Sequence, residues 1–319
     1  MMAPKPQVIA LEEHYIDPEV KPHITGRDRT GGAVAARLDD VGQGRIAEMD
    51  AAGIDIQVLS HGAPSVQRLD AELAVRLAKG ANDRLAETVR SHPDRFAAFA
   101  MLPTADPKAA ADELERAVTR LGFKGAMVHG LTGSLFLDDK RFWPIFERAQ
   151  AFDVPLYLHP AIPHPAVVEA YYQEYVDKYP NLLRAAWGFT VETATQGIRM
   201  VLSDVFDTYP RLKIILGHLG EGLPFLLWRI NMALVRDGAG PTWFRDTFCE
   251  HFWITTSGFF SDPALLCCVQ EMGVDRILFS VDYPFVENAP GTEWVHRIPL
   301  CTEDKAKILN GNVKRLLKM

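Results

Sequence analysis

Apolar runs of strand length recur along this chain, and most lead into a segment with helical periodicity. The first, at 8–14, reads Val-Ile-Ala-Leu-Glu-Glu-His and ends abruptly in two carboxylates and an imidazole. The second, at 54–60, is dominated by Ile, Val and Leu, as a strand buried on both faces requires. Similar runs follow at 96–102, 123–130, 155–160, 213–220, 252–258 and 276–284. Between them, Leu73, Leu77, Ala81, Leu85 and Val89 recur every four residues and predict a helix over 70–92. Trp187, Val191, Ala194, Ile198, Val201 and Val205 step by four and three, which predicts a long helix at 182–208 with that stripe buried. Further helices are expected at 45–52, 107–121, 140–152, from Glu221, at 263–272 and at 302–317. Two connections, 15–45 and 161–181, are long, and connections of that length are uncommon unless they serve function.

Strands alternating with helices over the whole length place the chain in the α/β class. The economical arrangement is one (β/α)8 TIM barrel domain spanning 1–319. A doubly wound open sheet is the alternative, weakened in its dinucleotide-binding version because no Gly-x-Gly-x-x-Gly follows the first strand. The composition, 48% apolar and 24% charged, is that of an ordinary globular protein. A net charge of -7 without a long basic cluster disfavours nucleic acid as a partner. No apolar stretch reaches the roughly 20 residues that span a bilayer, and the N-terminus has no apolar signal core. A cytoplasmic protein without membrane contact is therefore expected. Cys249, Cys267, Cys268 and Cys301 have neither zinc-ribbon nor redox spacing and are expected to be buried free thiols.

In such barrels the chemistry lies at the C-terminal ends of the strands. Those ends carry Glu12 and His14 on strand one, His129 on strand four and His159 on strand five. Strand six ends in His218 with Glu221 just after, and strand eight in Asp282. Alternation along a strand puts Glu12 and His14 on one face and Glu13 on the other, where a structural contact is expected. Two imidazoles and two carboxylates converging from strands one, five and eight form a set for one divalent ion, with nitrogen suited to Zn, Mn or Fe and oxygen to harder ions. Each residue alone also has an ordinary reading. A lone strand-end histidine is more often a hydrogen-bonded structural residue, and Asp282 before Tyr-Pro could cap a turn. His23, His92, His251 and His296 stay in that class, while His164 in the second long loop is within reach of the site.

The motifs that carry a resemblance are Ala-Leu-Glu-Glu-His at 10–14, Tyr-Leu-His-Pro at 157–160 and Ile-Leu-Gly-His-Leu-Gly-Glu-Gly-Leu-Pro at 215–224. Trp-Arg-Ile at 228–230, Ile-Thr-Thr-Ser-Gly at 254–258 and Leu-Phe-Ser-Val-Asp-Tyr-Pro-Phe at 278–285 complete them. In this order and number they resemble the metal-dependent decarboxylases related to the amidohydrolases, such as the γ-resorcylate, 2,3-dihydroxybenzoate and 5-carboxyvanillate enzymes. The resemblance implies a (β/α)8 barrel, one Zn or Mn ion held by Glu12, His14, His159 and Asp282, and His218 and Glu221 beside the substrate. It also implies a homodimer or homotetramer. Two-metal amidohydrolases bridge their ions with a modified lysine at the end of strand four. Here Lys124 begins that strand and His129 ends it, so a mononuclear site is expected. The chain departs from the γ-resorcylate type in a short segment at 131–141, and in His129 where an amide residue is expected.

The expected reaction is non-oxidative decarboxylation of an ortho-hydroxylated aromatic acid. Asp282 would give a proton to the ring carbon bearing the carboxylate, while His218 and Glu221 orient the substrate. Tyr and Pro in the two long connections, with Trp187 and Phe189, are candidates to wall the ring, although a helix-core place suits Trp187 better. Arg229, after strand six, is a candidate for pairing a carboxylate near the site or at a subunit contact. The competing reading is a metal-dependent hydrolase of a lactone or amide on the same barrel, disfavoured by Glu-x-His in place of His-x-His. A catalytically dead binding protein would lack a ligand or Asp282, and none is missing.

Overall fold

The computed structural model describes residues 6–319. Nine parallel strand segments fill eight positions around a barrel: β1 (Ile9–Tyr15), β2 (Ile56–His61), β3 (Phe96–Ala98), β4 (Ala100–Met101), β5 (Ala126–His129), β6 (Leu156–His159), β7 (Ile214–Leu216), β8 (Phe252–Thr255) and β9 (Ile277–Leu278). The run expected as one strand at 96–102 is divided at Phe99, because its first half pairs with β2 and its second with β5. The ladder therefore runs β1-β2-β3 and then β4 through β9. Closure between β9 and β1 uses other bonds: His14 N–H donates to the Tyr283 carbonyl at 2.7 Å and Glu12 N–H to Ser280 Oγ at 2.6 Å.

Inward residues Ile9, Leu11, Val58, Phe99, Met127, Tyr157, Ile215 and Leu278 fill the barrel. Val313, Leu316 and Leu317 of the C-terminal helix Asn312–Leu317 close its N-terminal end. A larger apolar layer packs between the outer strand faces and the helices. In β1 the pairing advances from Ala10↔Gln57 to Glu13↔Leu59, so one residue is extra and a bulge lies at 11–12. Without it, the face carrying Ile9 and Leu11 would next present Glu13. With it, that face presents Glu12 and His14.

The helix expected at 182–208 begins only at Gly188 and ends at Leu202. Its buried face is Glu192, Thr193, Gln196, Gly197, Met200 and Val201. Val191, Ala194 and Ile198 are only half-buried, and Trp187 is exposed. Close packing decides this orientation: a Cβ on Gly197 would stand 3.0 Å from Leu223 Cδ1, so the small and polar side faces the barrel. The connection 15–45 is not irregular throughout but holds a helix at Gly32–Asp39.

Candidate metal centre and substrate cavity

Glu12, His14, His159 and Asp282 converge at the C-terminal end of the barrel, with one ligating atom from each lying within 4.8 Å of all the others. His159 Nε2 is 3.2 Å and His14 Nε2 is 3.8 Å from Glu12 Oε1, and His14 Nε2 is 3.3 Å from Asp282 Oδ1. Glu12 Oε1 and His14 Nε2 are fully buried yet have no hydrogen-bond partner among the described residues. A buried polar atom left unpaired costs about 1–3 kcal/mol, and a cation between these atoms removes that cost. Burial alone would hold the His14 imidazole neutral, but Asp282 and Glu12 outweigh it and push its pKa up to about 9. The cluster is short of positive charge, and its donor set fits a divalent ion.

The supporting contacts fix each donor. His159 Nδ1 lies 2.7 Å from the Pro160 carbonyl and His14 Nδ1 lies 3.2 Å from Ser60 Oγ, so each imidazole turns Nε2 to the centre. Glu12 Oε2 accepts from the hydroxyls of Tyr157, Ser257 and Thr255, which leaves Oε1 for an ion. Gly217 makes room for this carboxylate, since a Cβ there would stand 2.8 Å from Oε2. Arg45, buried in the helix Gln43–Ala52, donates to the His14 carbonyl and lies over the Tyr283 ring at 4.7 Å. Sequence reading misses Arg45, Tyr157, Thr255 and Ser257. A signal for Tyr157 is present, because it lies two residues before His159 on the same strand face.

Glu13 faces away from the cluster. It accepts from Ser280 Oγ at 2.9 Å and from the N–H groups of Val281 and Tyr283 at 2.9 and 3.1 Å, tying β1 to the segment after β9.

After β7 the chain does not run straight into a helix at Glu221, as the sequence suggested. His218 to Gly222 all have positive φ, forming one left-handed turn before the helix Leu223–Ala233. For non-glycine residues that conformation is strained, and such strain clusters at functional sites. The turn brings His218 Nδ1 within 2.7 Å of Glu221 Oε1, and Thr190 Oγ1 donates to Glu221 Oε2 at 2.8 Å. Burial opposes charge on His218, but Glu221 and Glu12 override it and hold its pKa well above the usual imidazole range. His218 Nε2 is 3.9 Å from Asp282 Oδ2.

Above this floor lies a cavity of about 280 Å³, open to solvent, with His159, His218 and Asp282 at its base. Ala63, Ile162, Ala185, Phe189 and Phe285 supply its apolar lining, and Asp28, Thr30, Asn181 and Arg184 the rest of its polar lining. The two long connections do reach the cavity, but no tyrosine lines it: Tyr171, Tyr175 and Tyr179 are exposed, and Tyr172 packs with Val176 and Leu183.

The remaining candidates lie elsewhere. His129 is buried 5.0 Å ring-to-ring from His159, with both nitrogens unpaired, and burial drives its pKa well below the usual range. Beside it His61, at the end of β2, is pushed down to about 4 by burial; it follows the second apolar run directly, and sequence reading passes over it. His164 does not reach the cavity: its Nε2 pairs with Ser134 Oγ at 2.9 Å and its Nδ1 accepts from Ala166 N–H. Trp187 lies outside the cavity, in an apolar groove with Phe225 and Phe259. Arg229 is exposed on the helix Leu223–Ala233, with no ion pair among the described residues. Of the residues read as structural, His251 donates through Nδ1 to the Leu212 carbonyl and stacks on Phe206. Of the cysteines only Cys268 is buried; Cys249 and Cys267 are half-buried and Cys301 is exposed.

The family model described as Amidohydrolase matches residues 14–319. The γ-resorcylate decarboxylase of Polaromonas sp. (strain JS666 / ATCC BAA-500) is 41% identical over 325 aligned residues, covering 98% of each chain. The crystal structure of a 2,6-dihydroxybenzoate decarboxylase complexed with 2,6-dihydroxybenzoate superposes with a TM-score of 0.90 at 39% identity, over 99% of this chain and 100% of that one. A dihydroxybenzoic acid decarboxylase from Polaromonas sp. JS666, with bound manganese and the inhibitor 2-nitroresorcinol, gives 0.89 at 40% identity, over 98% and 97%.

Proposed function

The chain belongs to the amidohydrolase family, and from that premise we propose that it is a metal-dependent carboxy-lyase removing CO2, without oxidation, from ortho-hydroxylated aromatic acids of the dihydroxybenzoate type. The observation that carries this reading is the pair of buried, unpartnered donors, Glu12 Oε1 and His14 Nε2, beneath a cavity walled by Phe189 and Phe285. Glu12, His14, His159 and Asp282 would hold the ion. Manganese is favoured because the Polaromonas relative binds it, and zinc suits the same donors. When bound, the ion supplies Lewis-acid stabilisation and a template for the carboxylate and its neighbouring oxygen.

The protein side chains do the rest. The apolar walls exclude water and hold the ring above the cluster. Asp282 turns Oδ1 toward His14 and Oδ2 toward His218, so one oxygen faces the ligand set while the other faces the cavity. From Oδ2 a proton passes to the ring carbon that bears the carboxylate. The bond to the carboxylate then breaks, its electrons restore the aromatic ring, and CO2 leaves. Glu221 holds His218 in place, and His218 returns a proton to Asp282. The net change is uptake of one proton and release of CO2.

We read residues 1–319 as one domain, supported by the closed barrel and a family match that runs to the last residue. A homodimer or homotetramer is supported by the helix Leu223–Ala233, where Phe225, Trp228 and Met232 are 80%, 67% and 61% exposed. No helix among the described residues is long and apolar enough to cross a membrane, and four free cysteines suit the reducing cytoplasm.

The test is CO2 release from 2,6-dihydroxybenzoate by metal-depleted protein reloaded with Mn or Zn, run beside hydrolysis of a lactone and an amide. Asp282→Asn should lower decarboxylation by about 10²–10⁴-fold, the range of a lost proton donor, while metal analysis still finds the ion. Full activity in that variant removes Asp282 from the proton path. Hydrolysis without CO2 release replaces the decarboxylase by a hydrolase.

A further inference from the structure

Glu221 holds His218 only as long as its own carboxylate is held. The side chain of Glu221 is fully buried, and each of its oxygens has a partner: Oε1 lies 2.7 Å from His218 Nδ1, and Oε2 accepts from Thr190 Oγ1 at 2.8 Å. Thr190 belongs to the first turn of the helix Gly188–Leu202, and two close approaches place it. A Cβ on Gly188 would stand 2.7 Å from the Leu183 carbonyl oxygen, so glycine lets the helix start here. Gly197 lies two helical turns after Thr190 and so on the same face. It brings that face against Leu223, the first residue of the helix that follows the left-handed turn. The neighbouring Phe189 lines the catalytic cavity. One helical turn therefore carries a wall of the cavity and the contact that holds Glu221.

The Thr190 hydroxyl has a task there that packing cannot perform. The apolar groove runs along Thr190, Glu221 and His218. The terminal torsion of a glutamate is broad and two-fold, so burial alone does not choose its setting. Without Thr190 Oγ1, the Glu221 Oε2 is left unpaired at the groove, and rotation toward another partner draws Oε1 away from His218 Nδ1. The imidazole then loses the acceptor that fixes its ring and its proton. With Nδ1–H given to Oε1, Nε2 is the nitrogen left to face Asp282 Oδ2, 3.9 Å away. Backbone strain adds to the need. His218, Leu219 and Glu221 all have positive φ, and such conformations persist only where surrounding contacts over-determine them. Cys268 Sγ gives the turn one weak bond, to the Leu219 carbonyl at 3.5 Å, and the Thr190 hydroxyl gives a stronger one. We propose that Thr190 is a positioning residue for proton return: its hydroxyl selects the setting of the Glu221 carboxylate that turns His218 toward Asp282. This rests on the decarboxylase reading for the reaction that His218 serves, but not for the orientation itself. Thr190 acts through Glu221 and not on the substrate, so its loss lowers kcat and leaves KM and the ion in place.

The experiment uses the full chain. On the manganese-loaded protein, kcat and KM for CO2 release from 2,6-dihydroxybenzoate are compared among the unsubstituted protein, Thr190→Val and Thr190→Ser. Valine keeps the shape and removes the hydroxyl, and serine keeps the hydroxyl. Thr190→Val should lower kcat roughly tenfold, the loss of one hydrogen bond to a charged group, with KM and manganese content within about twofold. Thr190→Ser should recover most of the lost rate. A Thr190→Val kcat within about twofold of the unsubstituted value overturns the proposal. So does a Thr190→Ser variant as slow as Thr190→Val, because that marks a packing role for the methyl group. Orientation is scored without turnover, by proton NMR of the zinc-loaded protein. The Nδ1–H of His218, assigned by its absence in His218→Gln, should be lost or shifted upfield in Thr190→Val and kept in Thr190→Ser. A resonance unmoved in Thr190→Val overturns the positioning role whatever the kinetics. A resonance that responds as expected, without CO2 release from any acid by the unsubstituted protein, keeps Thr190 in place and sinks the decarboxylase reading. CO2 release with an unmoved resonance does the reverse.

Discussion

Glu192 is a buried carboxyl on the helix Gly188–Leu202 that holds the second long connection through His164 N–H, at 2.9 Å, and leaves Oε1 unpaired. Burial pushes its pKa from 4.5 up to about 7, against smaller opposing effects of that hydrogen bond and Arg68. The sign follows directly. Between pH 4.5 and about 7 the folded protein keeps a proton that the unfolded chain has released, so stability falls as pH rises through this window. Glu192→Gln removes the ionisation while keeping an acceptor. It should stabilise the protein at pH 8 by about 1–3 kcal/mol, since each tenfold change in an ionisation constant on folding is linked to about 1.4 kcal/mol, and change little at pH 4.5. Urea unfolding at the two pH values measures this, and an equal effect at both would mean that Glu192 does not titrate in the window. The residues of the metal cluster are legible in the sequence, because strand ends are where a barrel puts its chemistry. Glu192 is not, because His164, whose N–H it accepts, and Gly130, where a Cβ would stand 3.4 Å from its Oε1, are far away in sequence.

At the scale of elements, β1 shows how one extra residue decides chemistry. The alternation of Glu12, Glu13 and His14 was legible as local geometry. That the alternation points Glu12 inward, after Ile9 and Leu11 have done the same, depends on a bulge visible only in the pairing with β2. The displaced Glu13 then serves the closing seam, where no regular ladder joins β9 to β1. Glu13→Ala leaves the buried N–H groups of Val281 and Tyr283 without an acceptor. At about 1–3 kcal/mol for each such group, a loss of about 2–6 kcal/mol is expected by urea unfolding. A change below about 0.5 kcal/mol would show that the seam is held without Glu13. The left-handed turn at His218 escaped the sequence for a related reason. Only Gly217, Gly220 and Gly222 hinted at it, and His218, Leu219 and Glu221 are not residues that favour positive φ.

On the scale of the whole molecule, two outward apolar features are close together. The half-buried stripe of Val191, Ala194 and Ile198 and the exposed Phe225 border one groove, which also reaches His218 and Glu221. Contiguous apolar surface of this kind marks an interaction site, and a second copy of the chain is the partner proposed here. Phe225→Asp combined with Trp228→Ser should convert the oligomer to monomer in analytical ultracentrifugation while the circular dichroism spectrum is kept. An unchanged oligomer in the variant would place the subunit contact elsewhere, and a monomer in the unsubstituted protein would overturn the oligomer itself.

The sequence by itself determined the order of strands and helices, the barrel they form, and the residues at the strand ends that meet around an ion. Each of these is written in a short window, as a period of apolar residues or as a polar residue closing an apolar run. Tertiary structure decided the bulge that aims Glu12, the hydroxyls that occupy its second oxygen, Arg45 beneath His14, and the side of the helix Gly188–Leu202 that faces the barrel. It also brought Asp28 and Arg184 to the lining of one cavity. Those contacts join residues many tens of positions apart, and burial and close packing select them only once the barrel has closed.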